Sequence, residues 1–197
     1  MLFRSKKAST DMLRMLLDDS RLDPTKSWRC LFQEAVSCAN VESLQMLLAD
    51  LRLDPSMSPT CLFIAAMMCQ NDTKCTKMLR MLLADPRLEP RRRIFCDQLF
   101  SRAMRCHNDT ECTKMLRVFL ADPRLEPDRI CCDQLFSRAM RCQNDTECTK
   151  MLRVLLADLR LEPDRIRYDQ LFSRAIPTNG AVNMDVLRML LEAPFLR

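Results

Sequence analysis

Residues 96–131 and 132–167 carry the same sequence with four exceptions: His107/Gln143, Phe119/Leu155, Pro123/Leu159 and Cys131/Arg167. A tandem copy this close constrains the chain more than composition does. Each copy has to form the same small unit, and the units have to bury their apolar faces on one another. The period runs through the whole chain. A Leu-Phe pair recurs at Leu31-Phe32, Leu62-Phe63, Leu99-Phe100, Leu135-Phe136 and Leu171-Phe172, and an R-L-[DE]-P signature ends at Pro24, Pro55, Pro90, Pro127 and Pro163. These marks predict one repeat domain over 1–197: a half repeat at 10–24, repeats at 25–55, 56–90, 91–127 and 128–163, and a capping repeat at 164–197.

Each unit reads as two helices. In the first, Leu99, Ala103 and Cys106 fall at i, i+4 and i+7, with Phe100 and Met104 beside them, an apolar stripe at helical period. Asp97 is placed to act as its N-cap. Asn108, Asp109 and Thr110 then interrupt the pattern with turn and capping residues. The second stripe is Cys112, Met115, Leu116, Phe119 and Leu120, and Glu111, Lys114 and Arg117 are expected on the solvated side. Pro123 and Pro127 end the helix near Ala121-Asp122 and predict an extended connector over Arg124 to Pro127. Helices of about 10 residues do not hold alone in water. Stability has to come from stacking, so the expected class is all-α, a solenoid of helix-turn-helix repeats with short extended or irregular connectors.

Thr60-Cys61-Leu62-Phe63-Ile64-Ala65-Ala66 resembles the T-P-L-H-x-A-A opening of an ankyrin repeat, and Cys38 to Leu48 resembles the G-H-x-E-V-V-x-L-L-L that follows. The L-L-A-D-P-R-L-E-P form is similar to a divergent ankyrin variant of repeat arrays in protists and large DNA viruses. The chain departs from the family where Cys38, Cys69, Cys106 and Cys142 replace the glycine between helices, and where Asp-x-Arg-Leu-x-Pro replaces the glycine turn after helix two. Most units also exceed the roughly 33 residues of the family, mainly in the loop between helices. The resemblance implies an adaptor or scaffold that binds a protein partner, with helix one lining the concave surface. Tetratricopeptide repeats have a similar length, but their W-x-x-L-G-x-x-Y signature is missing.

Composition removes whole classes of function. One glycine in 197 residues leaves no phosphate-cradling loop, and one histidine, His107, leaves no Cys-His-His finger and argues against a His-based dyad. The near-identical copy has Gln143 in place of His107, so no catalytic role is expected there and no enzyme is implied. No cofactor is called for. No segment nears the roughly 18 apolar residues of a membrane helix. The start MLFRSKKASTDML has no signal-peptide pattern. The expected setting is therefore intracellular, cytoplasmic or nuclear, as a monomer, with its 12 cysteines reduced. Residues 193–197 are too few for a C-terminal F-box-like segment, so recruitment to a ubiquitin ligase is not expected.

Several motifs carry competing readings. Cys69/Cys75, Cys106/Cys112 and Cys142/Cys148 repeat one spacing that two units would have to combine to make a four-thiolate zinc site. Cys38, Cys69 and Cys106 also continue helix-one stripes, where a thiol packs as a small hydrophobe, and that reading is preferred. Asn71, Asn108 and Asn144 open N-D-T acceptor patterns, better explained by helix capping by Asp or Thr. Arg91-Arg92-Arg93 is short for a nuclear-localisation signal.

Arginine outnumbers lysine 24 to 7 against a net charge of only +5, and part of that excess is ordered. Arg102, Arg138 and Arg174 recur 36 residues apart on helix one, Arg105 and Arg141 lie one turn on, and Ser101, Ser137 and Ser173 sit beside them. Stacking would set equivalent side chains about 10 Å apart. Such a row can grip carboxylates of a protein segment, the expected partner. The alternative is a nucleic-acid or anionic-surface binder, which salt dependence separates. Local ion pairs to Asp133 or Glu111 are the third possibility.

Overall fold

A computed structural model describes residues 6–19, 28–57, 59–88, 93–125, 127, 129–142, 145–158, 160–161, 165–176 and 183–192. Within them every regular element is helical. The elements are α1 (Lys6–Asp18), α2 (Trp28–Ser37), α3 (Val41–Ala49), a 3₁₀ turn (Pro55–Met57), α4 (Pro59–Met67), α5 (Asp72–Ala84), α6 (Arg93–Met104), α7 (Asp109–Ala121), α8 (Arg129–Met140), α9 (Asp145–Leu156), α10 (Arg165–Ala175) and α11 (Met184–Glu192). They fall into two compact units, Met1–Arg91 and Arg92–Arg197. In the first, α2 packs on α3 and α4, while α1, α3 and α5 pack in succession. In the second, α6, α8 and α10 form one row of neighbours, α7, α9 and α11 form another, and each hairpin joins the two.

The apolar stripes account for the core. Cys112, Met115, Leu116 and Phe119 are buried, and Phe119 meets Phe100 edge to face at 5.7 Å and 82°, a geometry that adds about 1 kcal/mol beyond area burial. The helix-one stripe extends a turn further upstream than the sequence reading placed it. Cys96, Leu99, Phe100 and Ala103 are all buried, an i, i+3, i+4, i+7 set on a helix that begins at Arg93. Asp97 therefore lies inside α6 and is not its N-cap. Cys132, Leu135, Phe136 and Ala139 repeat the pattern on α8.

Asparagine, rather than Asp or Thr, caps the second helices. Asn40 Oδ1 accepts from Ser43 N, Asn71 Oδ1 from Lys74 N, and Asn108 Oδ1 from Thr110 N and Glu111 N. Each bond satisfies an amide that the first turn leaves without a partner. Asn40 also donates to Thr10 at 3.2 Å, which joins the α3 cap to α1.

The α2–α3 connection is the tight one. Asn40 N bonds to Ala35 O and Ala39 N to Val36 O, both at 2.9 Å, with Ala39 at φ 50. This is a left-handed helix terminus that glycine normally fills. The longer turns after α4 and α6 avoid the problem, since Ala39 is the one non-glycine with positive φ among the described residues. Ala39→Gly is expected to raise stability by roughly 0.5–1 kcal/mol, read as a higher urea midpoint; an unchanged or lower midpoint contradicts the assignment.

The Asp-x-Arg-Leu run that opens the R-L-[DE]-P signature is a turn and a clamp; of the extended connector expected over Arg124 to Pro127, Arg124 belongs to this turn and Glu126 lies outside the described residues. Asp50, Asp85 and Asp122 cap the ends of α3, α5 and α7 with extended backbone. Asp50 O then accepts from Leu53 N, Asp85 O from Leu88 N, Asp122 O from Leu125 N and Asp158 O from Leu161 N, at 3.0–3.2 Å. The four leucines are fully buried. Pro86 and Pro123 stand at the second turn position, where fixed φ suits them.

Each aspartate side chain also binds the arginine two residues on. Asp85 accepts from Arg87 N at 2.9 Å, Nε at 2.9 Å and Nη2 at 2.6 Å. The same guanidinium then reaches back one repeat, donating to Leu53 O at 2.9 Å and to Leu48 O, in the last turn of α3, at 2.7 Å. Arg160 repeats this with Asp158, Leu125 O and Leu120 O, and Arg52 with Asp50 and Leu17 O. A cation thus caps the carbonyl end of the preceding second helix, which the helix dipole favours.

Candidate functional site

The ordered arginines of helix one separate by burial. Arg102 is 8% exposed, and its Nη1 donates to Cys106 Sγ at 3.5 Å. Arg138, on α8, reaches back to the α6–α7 turn. Its Nε donates to Met104 O at 3.2 Å, and Nη2 donates to Cys106 O at 3.3 Å and to Asp109 Oδ1. Asp109 Oδ2 accepts from Cys142 Sγ at 2.9 Å. One carboxylate at the start of α7 is therefore held by two side chains of the next repeat.

The charge states follow from this geometry. The Cys142 thiol, helped by the Arg138 guanidinium, holds the Asp109 carboxyl below the usual carboxylate range against the effect of burial. Burial weighs against the charge of Arg138, but the Asp109 bond and neighbouring groups more than offset it. Burial, together with Cys106 nearby, pushes the Cys112 thiol up to about 12. That thiol stays protonated and unreactive at neutral pH.

Arg105 and Arg141 differ from Arg102 and Arg138. Both are exposed. Their Nε groups donate to Ser101 O and Ser137 O, each at 3.3 Å, on the helix each residue follows. Ser101 and Ser137 are half-buried, and exposed Ser173 donates its hydroxyl to Asp169 O at 2.8 Å. The side chain of Arg174 lies outside the described residues. Among the expected interface residues whose side chains are described, the outward-facing positive charge is thus that of Arg105 and Arg141.

Two other surface expectations change. Glu111 is buried at 7% exposure, not solvated, and holds Lys114 Nζ at 2.7 Å. Glu147 holds Lys150 the same way. The cysteines at Cys75, Cys106, Cys112, Cys142 and Cys148 are buried, as the stripe reading has it, and Cys69 is half-buried. Cys38, in the turn after α2 ends at Ser37, is exposed. No group of three His, Cys, Asp or Glu side chains among the described residues is placed to hold a metal. No described helix is long and apolar enough to cross a membrane.

A thiol titration of the native protein checks this pattern. Exposed Cys30 and Cys61 are expected to react first with a disulfide reagent. Cys38 follows more slowly, its thiol raised by partial burial and by Glu34, whose carboxylate it faces at 3.7 Å. The seven buried cysteines among the described residues should react only on unfolding. Fast reaction at Cys106 or Cys142 would contradict the burial.

The sequence singled out the helix-one arginines but missed Asp109 and Cys142, which become partners of Arg138 only through stacking. The Asp in every N-D-T gave no signal of this pairing, since a first-turn carboxylate is already favoured by the helix dipole. Compared with protein-family profiles, curated proteins and solved structures, the chain matches none.

Proposed function

We propose that the chain is a non-catalytic interaction scaffold, an ankyrin-like solenoid that binds a protein partner on its helix-one and loop face. The observation that carries this reading is the division of labour among the repeated polar residues. Arg52, Arg87, Arg138 and Arg160 are consumed in bonds between repeats. Arg105 and Arg141 recur at the same register, stay exposed, and bond only to their own helix among the described residues. A residue kept identical in two copies without a role in stacking is available for recognition, and an arginine presents a planar fork suited to carboxylates. The neighbour-to-neighbour contacts along both helix rows of each unit support the stacked arrangement.

Affinity capture from a lysate, with the full chain as bait and mass spectrometry as readout, tests the reading. A protein enriched by the wild type and lost with the Arg105→Glu/Arg141→Glu variant is the expected result. Co-purified nucleic acid whose binding falls log-linearly and steeply with salt would overturn it in favour of a phosphate binder. Capture of the same proteins by both baits would remove these arginines from the interface.

A further inference from the structure

A second set of arginines recurs on the second helices. Arg117 on α7 and Arg153 on α9 are 36 residues apart and exposed, and their side chains make no hydrogen bond or ion pair among the described residues. The lysines one turn earlier do not share that state, because Glu111 and Glu147 neutralise Lys114 and Lys150. The α7 and α9 helices pack side by side. Between their C-terminal halves lies a groove of about 540 Å³, lined by Leu120, Ala121, Pro123, Val154 and Ala157 and bounded by the Asp158–Arg160 pair. Ala121 and Ala157 each follow an arginine by four residues, so Arg117 and Arg153 stand one turn before the groove on the same helix faces.

We propose that this groove docks a short acidic segment of a partner protein, with a large apolar side chain between α7 and α9 and carboxylates on Arg117 and Arg153. Charge complementarity sets the sign of the occupant: two unpaired cations stand one turn from the groove, and the carboxylates of Glu111, Glu147 and Asp158 on the same helices and turn are already paired. The apolar lining selects a protein segment over a nucleic acid, since a sugar-phosphate backbone brings nothing to fill it, and neutralised lysines weaken a phosphate track. The equivalent groove between α3 and α5, about 500 Å³, has Gln45 where the second unit has Arg117, so it lacks the arginine pair. This surface is separate from Arg105 and Arg141 and does not depend on their role.

Fluorescence polarisation with the full chain tests it, using a short labelled peptide of Glu, Leu and Phe. Binding is expected, weakened at least about tenfold by Arg117→Glu/Arg153→Glu and unaffected by Arg105→Glu/Arg141→Glu. Replacing Glu by Lys in the peptide should restore affinity for the charge-reversed variant, a readout that unfolding cannot mimic. Three outcomes would overturn the assignment: no binding by the wild type, equal binding by the reversed variant, or equal binding of an oligo-dT strand or of a peptide with Ser replacing Leu and Phe.

Discussion

Arg87→Ala is expected to destabilise the protein by about 2–3 kcal/mol and to lower its thermal midpoint by roughly 5–10 °C. The side chain makes charge-assisted bonds to Asp85 and to two backbone carbonyls of the preceding repeat. Its loss leaves the Leu48 and Leu53 carbonyls without that donor and leaves Asp85, whose side chain is only 8% exposed, with the backbone amide of residue 87 but no counter-charge. Truncating one partner of a buried charge pair costs more than the pair contributes, because the remaining charge stays desolvated. At 27% exposure Arg87 sits toward the lower end of that range. A change below about 0.5 kcal/mol would mean that the clamp does not join repeats.

The same clamp predicts the acid limb of stability. The arginine hydrogen bonds hold the carboxyls of Asp50, Asp85, Asp122 and Asp158 below their ordinary value. A carboxyl with a depressed folded pKa binds fewer protons folded than unfolded, so its stabilisation is complete above the unfolded value of about 3.9. It is lost as pH falls below that value and through the folded pKa. Stability should therefore be flat with respect to these groups from pH 7 to about 5 and fall below about 4. Asp85→Asn should flatten that fall while lowering stability at neutral pH.

Arg138→Ala is the second large effect, again about 2–3 kcal/mol. Its side chain is 16% exposed and bridges α8 to the α6–α7 turn through Met104 O, Cys106 O and the Asp109 carboxylate. Arg138→Lys should recover little of the loss. An ammonium is a single point of donation and cannot span two carbonyls and a carboxylate in the plane of a fork. Full recovery by lysine in urea unfolding would reduce the role of Arg138 to charge alone.

The helices and the core were largely legible from periodicity. Spacing places Cys112, Met115, Leu116, Phe119 and Leu120 in the core; the first four are buried and Leu120 is half-buried. Helix two was expected to stop near Ala121-Asp122, and α7 ends at Ala121 with Asp122 as its cap. The start of α6 was not legible, because Asp97 looks like a cap until Cys96 is seen to extend the stripe. The clamps were invisible for a different reason. Arg87 and Arg160 bond backbone carbonyls about one repeat away, and a carbonyl carries no residue identity for a sequence to display. The same long-range capping hid the difference between Arg138 and Arg141, three residues apart and alike in sequence, one held by the neighbouring repeat and one exposed.

The arginines are of two kinds: those bonded between repeats, such as Arg87 and Arg138, and those, Arg105 and Arg141, that stay exposed on their own helix. Urea unfolding of Arg87→Ala, Arg138→Ala, Arg105→Ala and Arg141→Ala, measured side by side, tests this division most directly. The first two variants should lose about 1 M in midpoint, and the last two should stay within about 0.5 kcal/mol of wild type. Equal losses at Arg138 and Arg141, or none at Arg87 and Arg138, would contradict the division.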